Sequence, residues 1–208
     1  MFDAVFFDLD GTLVDTESLA VTTGLRAFAE VGHRVDEGFM HGLVGKAGPQ
    51  AAEIIRGHMP GIDLEAFHAA WRVSFDGAIE GGLPLKPGAT QLLEMIEHPL
   101  GLVTSTGREG AHHKLGLAGI AHHFRTVVTF DDVRHPKPAP EPYLLAAERL
   151  GVDPARCLVF EDSDVGAEAA HRAGCVVVQV PDVAPTDGRF ARHLAEDLLA
   201  GARAAGLI

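Results

Sequence analysis

The sequence predicts an α/β protein, a doubly wound parallel sheet interrupted by an all-helical insertion. Three observations carry this. Short apolar runs alternate with helical patterns from about residue 84 onward, which is how parallel sheets are built. One equally apolar run, Val5-Phe6-Phe7, stands alone near the start. Between them no strand pattern occurs from Thr16 to Gly82.

Val5-Phe6-Phe7 reads as a strand buried on both faces. Asp8 and Asp10 follow at spacing i, i+2, so on a strand they point the same way. Gly11 then turns the backbone out of the sheet. Leu13 to Thr16 is a connector. Helical stripes follow over Ser18 to Val31, Phe39 to Val44, Gln50 to His58 and Leu64 to Ile79, with Phe67, Trp71 and Phe75 at i, i+4, i+8 as core. Gly81 to Gly88 is a Gly/Pro seam that reads as a linker. Beyond it, helices are expected over Ala89 to Glu97, Glu109 to Leu115, Glu141 to Leu150, Val165 to Ala173 and Leu194 to Ala204. Strands are expected over Leu100 to Val103, Thr126 to Phe130, Cys157 to Phe160 and Cys175 to Val180. The domains are therefore a core of residues 1–15 and 84–208, Rossmann-like in its winding, and an inserted helical domain of residues 16–83.

Composition narrows the partners. Hydrophobic residues make up 47% and charged residues 22% of the 208, values of an ordinary globular protein. No apolar run approaches a membrane span, and nothing resembling a secretory signal precedes the first strand, so a cytoplasmic protein is expected. The net charge of -12 disfavours nucleic acid and anionic membranes as partners. Cys157 and Cys175 form no CxxC pair and are expected as buried free thiols. The doublets His112-His113 and His122-His123 read as exposed helix or loop residues, since no third metal ligand has suitable spacing.

Four polar groups fall at or just beyond strand ends, on the side where such sheets bind ligands. They are Asp8 with Asp10; Thr104-Ser105-Thr106-Gly107; Lys137, among three prolines; and Glu161-Asp162-Ser163. Converging carboxylates repel unless neutralised. An oxygen-only set suits Mg²⁺, which takes one or two carboxylates plus substrate phosphate. Hydroxyl, backbone N–H and Lys donors suit the remaining phosphate oxygens. Ser163 and Asp164 read as the cap of the next helix.

Asp8-Leu9-Asp10-Gly11-Thr12 resembles the DxDGT signature of the haloacid dehalogenase-like (HAD) hydrolase superfamily. Lys137-Pro138-Ala139-Pro140-Glu141-Pro142-Tyr143 and Glu161-Asp162-Ser163-Asp164-Val165-Gly166 are similar to its later KPxPExY and EDSxxG segments, in order. The helical insertion resembles the small cap of the β-phosphoglucomutase-like and sugar-phosphatase branch. The resemblance implies roles. Asp8 is the nucleophile and forms an aspartyl phosphate; Asp10 is the acid and base; Thr104 and Lys137 complete the catalytic set. Thr104, the Ser105 backbone and Lys137 hold the phosphoryl group, and Thr16, Gly45 and Lys46 approach the substrate from the cap segment. Asp8, Asp10, Glu161 and Asp162 hold Mg²⁺, with Glu161 bound directly or through water.

Within that resemblance, Asp10 argues against carbon–halogen chemistry, and the lack of a Lys between Thr12 and Lys46 argues against phosphonate cleavage. The similar mutases carry a His where this chain has Ala20, and an Arg in the loop that here reads Gly42-Leu43-Val44-Gly45-Lys46-Ala47-Gly48-Pro49. The expected activity is thus a Mg²⁺-dependent phosphatase for a small phosphorylated metabolite, such as a sugar phosphate. The alternatives are a β-phosphoglucomutase-type mutase and, in another class, a catalytically silent binding protein. A monomer or weak homodimer is the expected state, and the connectors Leu13–Thr16 and Gly81–Pro87 are the expected hinges.

Overall fold

The structure, a computed structural model, describes residues 2–43, 48–183 and 186–208. The chain divides into two compact units, one of Met1–Asp15 with Pro84–Ile208 and one of Thr16–Leu83. The first begins with β1 (Ala4–Phe7), buried along its whole length. The second holds α1 (Thr16–Glu30), α2 (Glu37–His41), α3 (Gly48–His58) and α4 (Leu64–Glu80). The first then resumes with α5 (Ala89–Met95), β2 (Leu100–Val103), α6 (Arg108–Leu117), β3 (Phe124–Val128), α7 (Glu141–Leu150), β4 (Cys157–Glu161), α8 (Asp164–Arg172), β5 (Val176–Gln179), β6 (His193–Leu194) and α9 (Leu198–Ala204).

The six strands form one sheet in the order β3-β2-β1-β4-β5-β6, every neighbouring pair parallel. This is the doubly wound sheet the sequence predicts. β1 lies inside it, between β2 and β4, so the residues that follow β1 emerge at the middle of the sheet's C-terminal edge. Gly101 on β2 is set by close packing, because a Cβ there would lie 2.7 Å from the Phe6 ring. One face is covered by α7 and α8, whose Tyr143, Ala146, Ala167 and Ala170 pack with Phe6, Val103 and Val159. On the other face α9 sits directly on β5; a Cβ at Gly201 would lie 2.4 Å from Val178 Cγ1. Cys157 and Cys175 are free and buried, and burial pushes both thiols up to about 12.

The helical unit has a core of its own. Phe28 and Phe67 stack with ring centroids 4.1 Å apart. Trp71 donates its indole N–H to Ala20 O at 3.2 Å and Thr23 Oγ1 at 3.1 Å, which ties α4 to α1. Of the predicted aromatic stripe only Phe67 is fully buried; Trp71 and Phe75 instead line a cavity of about 240 Å³ with Ala20, His68 and Arg72.

Two boundaries differ clearly from the sequence reading. The strand expected over Thr126 to Phe130 runs two residues earlier, because Phe130 is half exposed in a short turn of 3₁₀ helix and Phe124 pairs with Leu100 ahead of Thr126, with the register shifting past Arg125. The last helix starts at Leu198, N-capped by the Asp197 side chain, and the residues before it supply the edge strand β6. Segment 44–47, containing Gly45 and Lys46, lies outside the described residues. Among the described residues no helix is long and apolar enough to cross a membrane.

The 3₁₀ turn after β3 is anchored by Asp132, which accepts from the Thr129 N–H at 2.8 Å, the Thr129 hydroxyl at 2.6 Å and Arg149 at 2.9 Å. Burial would raise this carboxyl, but the Thr129 and Arg149 bonds outweigh it and hold it well below the usual carboxylate range. A folded-state value below the unfolded one gives stability that is present above roughly pH 4 and lost as the pH falls. Asp132→Asn is therefore expected to cost about 1–3 kcal/mol at neutral pH. In urea unfolding the gap to wild type should shrink as the pH is lowered toward 3.

Candidate active site

The site begins where β1 ends. Asp8 N–H donates to Phe160 O at 3.0 Å, so the strand pairing carries Asp8 to the sheet edge. Gly11 then reverses the chain at φ 82°, and its N–H donates to Val14 O at 2.9 Å. No side chain fits at Gly11: a Cβ would lie 2.6 Å from Asp162 Oδ2. The tight turn and the close carboxylate both need glycine.

Lys137 reaches this edge from the Pro-rich segment ahead of α7. Its ammonium donates to Asp8 Oδ1 at 2.6 Å, Glu161 Oε1 at 2.6 Å and Val103 O at 2.8 Å. Three donors meet three acceptors, with only 4% of the side chain exposed. Glu161 is fully buried at the end of β4. It accepts further from the Tyr143 hydroxyl at 2.5 Å and the Ser163 hydroxyl at 3.3 Å. Gly166 makes room for it, since a Cβ there would lie 1.9 Å from Glu161 Oε1. Ser163 also N-caps α8, accepting from Gly166 N at 3.1 Å, the capping role its position suggests.

The electrostatics follow from burial. Burial pushes the Asp8 carboxyl up to about 7; Lys137 opposes the shift, while Glu161 and Asp10 add to it. Burial alone would lower Lys137, but Asp8 and Glu161 outweigh it and hold the ammonium above the usual lysine range. Tyr143 is held well above its ordinary value by burial and by Glu161.

Asp8, Asp10, Thr104, Ser105, Lys137 and Asp162 line one cavity of about 180 Å³. Thr104 N–H donates to Val128 O at 2.9 Å, and its hydroxyl accepts from Thr106 N–H at 3.0 Å. Asp10 accepts from Lys114 Nζ at 2.6 Å and from the Thr106 hydroxyl at 2.6 Å. Asp162 accepts from the Thr12 hydroxyl at 3.3 Å. Carboxylate oxygens of Asp8, Glu161 and Asp162 lie within 4.8 Å of one another, an all-oxygen group. This donor set fits a hard divalent cation such as Mg²⁺.

The core residues singled out in the sequence thus come together, with Glu161 beneath the cavity rather than on its wall. Thr16 opens α1 in the helical unit and is buried there. Gly45 and Lys46 lie outside the described residues. Sequence reasoning placed Thr106 in the strand-end group without a role of its own and missed Lys114 and Tyr143 as site members. Tyr143 stands in a quoted motif; Lys114 carries no local signal, being one Lys on a polar helix.

A doubly wound parallel sheet with two acids just past the tip of its central first strand is the class that fold and site define. The sequence matches the model of the haloacid dehalogenase-like hydrolase family over residues 2–174, and the chain belongs to that family. It is similar to fructose-1-phosphate phosphatase YqaB of Escherichia coli K12, 34% identical over 86% of this chain and 96% of that one. It is also similar to validoxylamine A 7'-phosphate phosphatase of Streptomyces hygroscopicus subsp. limoneus, 33% identical over 86% and 85% of the two chains. A HAD family hydrolase from Deinococcus radiodurans R1, solved with bound phosphate and sodium, superposes with a TM-score of 0.87 at 27% identity, covering 98% of this chain and 94% of that one.

Proposed function

We propose that this protein is a Mg²⁺-dependent phosphatase that hydrolyses a small phosphorylated metabolite, a sugar phosphate, through an aspartyl phosphate on Asp8. The observation that carries the reading is Asp8 Oδ1, held 2.6 Å from Lys137 Nζ at an oxygen-lined cavity with Asp10 two residues on. A Lys-paired, buried carboxylate is poised as a nucleophile toward a dianion only where positive charge surrounds it.

The Asp8 and Asp162 carboxylates and the Asp10 backbone carbonyl would hold the metal, with Glu161 direct or through water. When bound, the metal supplies positive charge to the phosphoryl oxygens. An Asp8 oxygen attacks phosphorus, the bond from phosphorus to the leaving oxygen breaks, and Asp10 gives that oxygen a proton. The Thr104 hydroxyl and Ser105 N–H hold the phosphoryl oxygens meanwhile. Asp10 then takes a proton from the water that attacks phosphorus, and the Asp8 carboxylate is restored as phosphate leaves. We assign the choice of substrate to the inserted segment 16–83, with Thr16, Gly45 and Lys46 as its candidate substrate-binding residues. The family resemblance supports this assignment, and the fructose-1-phosphate phosphatase among the relatives supports a sugar phosphate as the substrate class.

Free-phosphate release over a panel of sugar phosphates, with Mg²⁺ and with EDTA, tests the proposal. Metal-dependent release is expected. Glucose 6-phosphate formed from glucose 1-phosphate without free phosphate would overturn it in favour of a mutase, which Ala20 argues against.

A further inference from the structure

We propose that Lys114, which lies outside every motif, is a positioning residue that works with Thr106 to hold the Asp10 carboxyl in place for proton transfer to the leaving group. This rests on the phosphatase reading of the same site.

Asp10 is a short side chain beyond the end of its strand, with 29% of it exposed. Asp8 lies two residues away, and its carboxyl feels the Asp10 charge. Left to itself, such a carboxylate turns away from its like-charged neighbour toward water. Here each of its oxygens is fixed from a different element. Oδ1 accepts from Lys114 on α6, and Oδ2 accepts from the Thr106 hydroxyl on the segment after β2, each at 2.6 Å. Two anchors on the two oxygens set the plane of the carboxyl as well as its position. Proton transfer needs that control, because an acid must lie within hydrogen-bond reach of the oxygen it serves.

Lys114 can do this because of where the helix places it. Ala111 and Leu115 bury the inner side of α6. Lys114 follows Ala111 by three residues, at the margin of that side, and keeps only 16% of its side chain exposed. It lies roughly 9 Å along the axis from the start of α6, at about 1.5 Å per residue. Helical side chains tilt toward the N-terminus, so its long stem runs back toward the sheet edge, where Asp10 lies. An Arg, with a similar stem and a permanent charge, preserves the contact; a Met keeps the stem and removes the donor.

The test compares phenyl phosphate with p-nitrophenyl phosphate, two probes of nearly equal size whose leaving groups differ in their need for a proton. The value of kcat/KM reports the steps up to leaving-group departure. For Lys114→Met we expect it to fall about tenfold or more with phenyl phosphate and less than about threefold with p-nitrophenyl phosphate. Lys114→Arg should recover most of the phenyl phosphate activity. Equal losses on both probes, or no loss on either, would overturn the inference, since a change in folding or in active fraction lowers both alike. Thr106→Val removes the other anchor and should show the same selectivity; it decides the matter if circular dichroism shows Lys114→Met unfolded. Wild-type protein inactive on both probes with Mg²⁺ would instead bring down the phosphatase reading, and this inference with it.

Discussion

Asp8→Asn removes turnover, by at least about 10⁴-fold, and leaves a folded protein. The loss is large because no neighbour can take over the attack: Glu161 is buried beneath the cavity and bonded to Lys137, Tyr143 and Ser163. The substitution is also expected to be neutral or stabilising when unfolding is followed in urea with EDTA. Burial raises the Asp8 carboxyl to about 7, so at neutral pH the folded state holds a charge that the unfolded chain carries more easily. Asn keeps the shape and an acceptor for Lys137 without that charge. Turnover near the wild-type level would remove Asp8 from the nucleophile's role.

Lys137→Met has the second large effect, and the opposite sign for stability. It leaves Asp8 and Glu161 buried without their shared cation, each having lost a bond of 2.6 Å. Breaking a buried ion pair from one side costs about 3–5 kcal/mol. Turnover should fall by roughly 10²–10³-fold or more, the cost of losing one preorganised donor. The stability deficit is expected to shrink on going from pH 7.5 to pH 5, because an orphaned carboxyl can take up a proton. A deficit that is the same at both pH values would mean that Lys137 contributes packing rather than charge.

The middle of the sheet was legible because its strands are built on short, wholly apolar runs. Val5 to Phe7, Leu100 to Val103 and Cys157 to Phe160 can be satisfied only inside a covered sheet. The acids, Thr104 and Lys137 were legible because they interrupt or follow those runs, where a polar residue has no packing reason to be. Edges read less well. The two-residue strand β6 forms only because β5 offers it an open edge, and no local pattern records that. Phe130 looked like strand but is placed outward by the turn around Asp132. Lys114 and Tyr143 were missed for a common reason. Their contacts, to Asp10 and to Glu161, join distant parts of the chain; Lys114 carries no local signal of its contact, and the motif that holds Tyr143 does not tell what its hydroxyl meets.

The two ends of the inserted segment are fastened to one another inside the core unit. Asp15 N–H donates to Pro84 O at 2.8 Å, Lys86 N–H donates to Leu13 O at 2.9 Å, and Val14 pairs with Leu85 in an antiparallel bridge. To the core, the whole insertion is therefore one very long hairpin loop with a closed base. The entropy of closing a loop rises only with the logarithm of its length, by about 0.6 kcal/mol for each doubling. A core built this way is nearly indifferent to what it carries. Inserts can be lengthened, shortened or exchanged at this junction over evolutionary time while the strand that bears Asp8 and Asp10 stays in register.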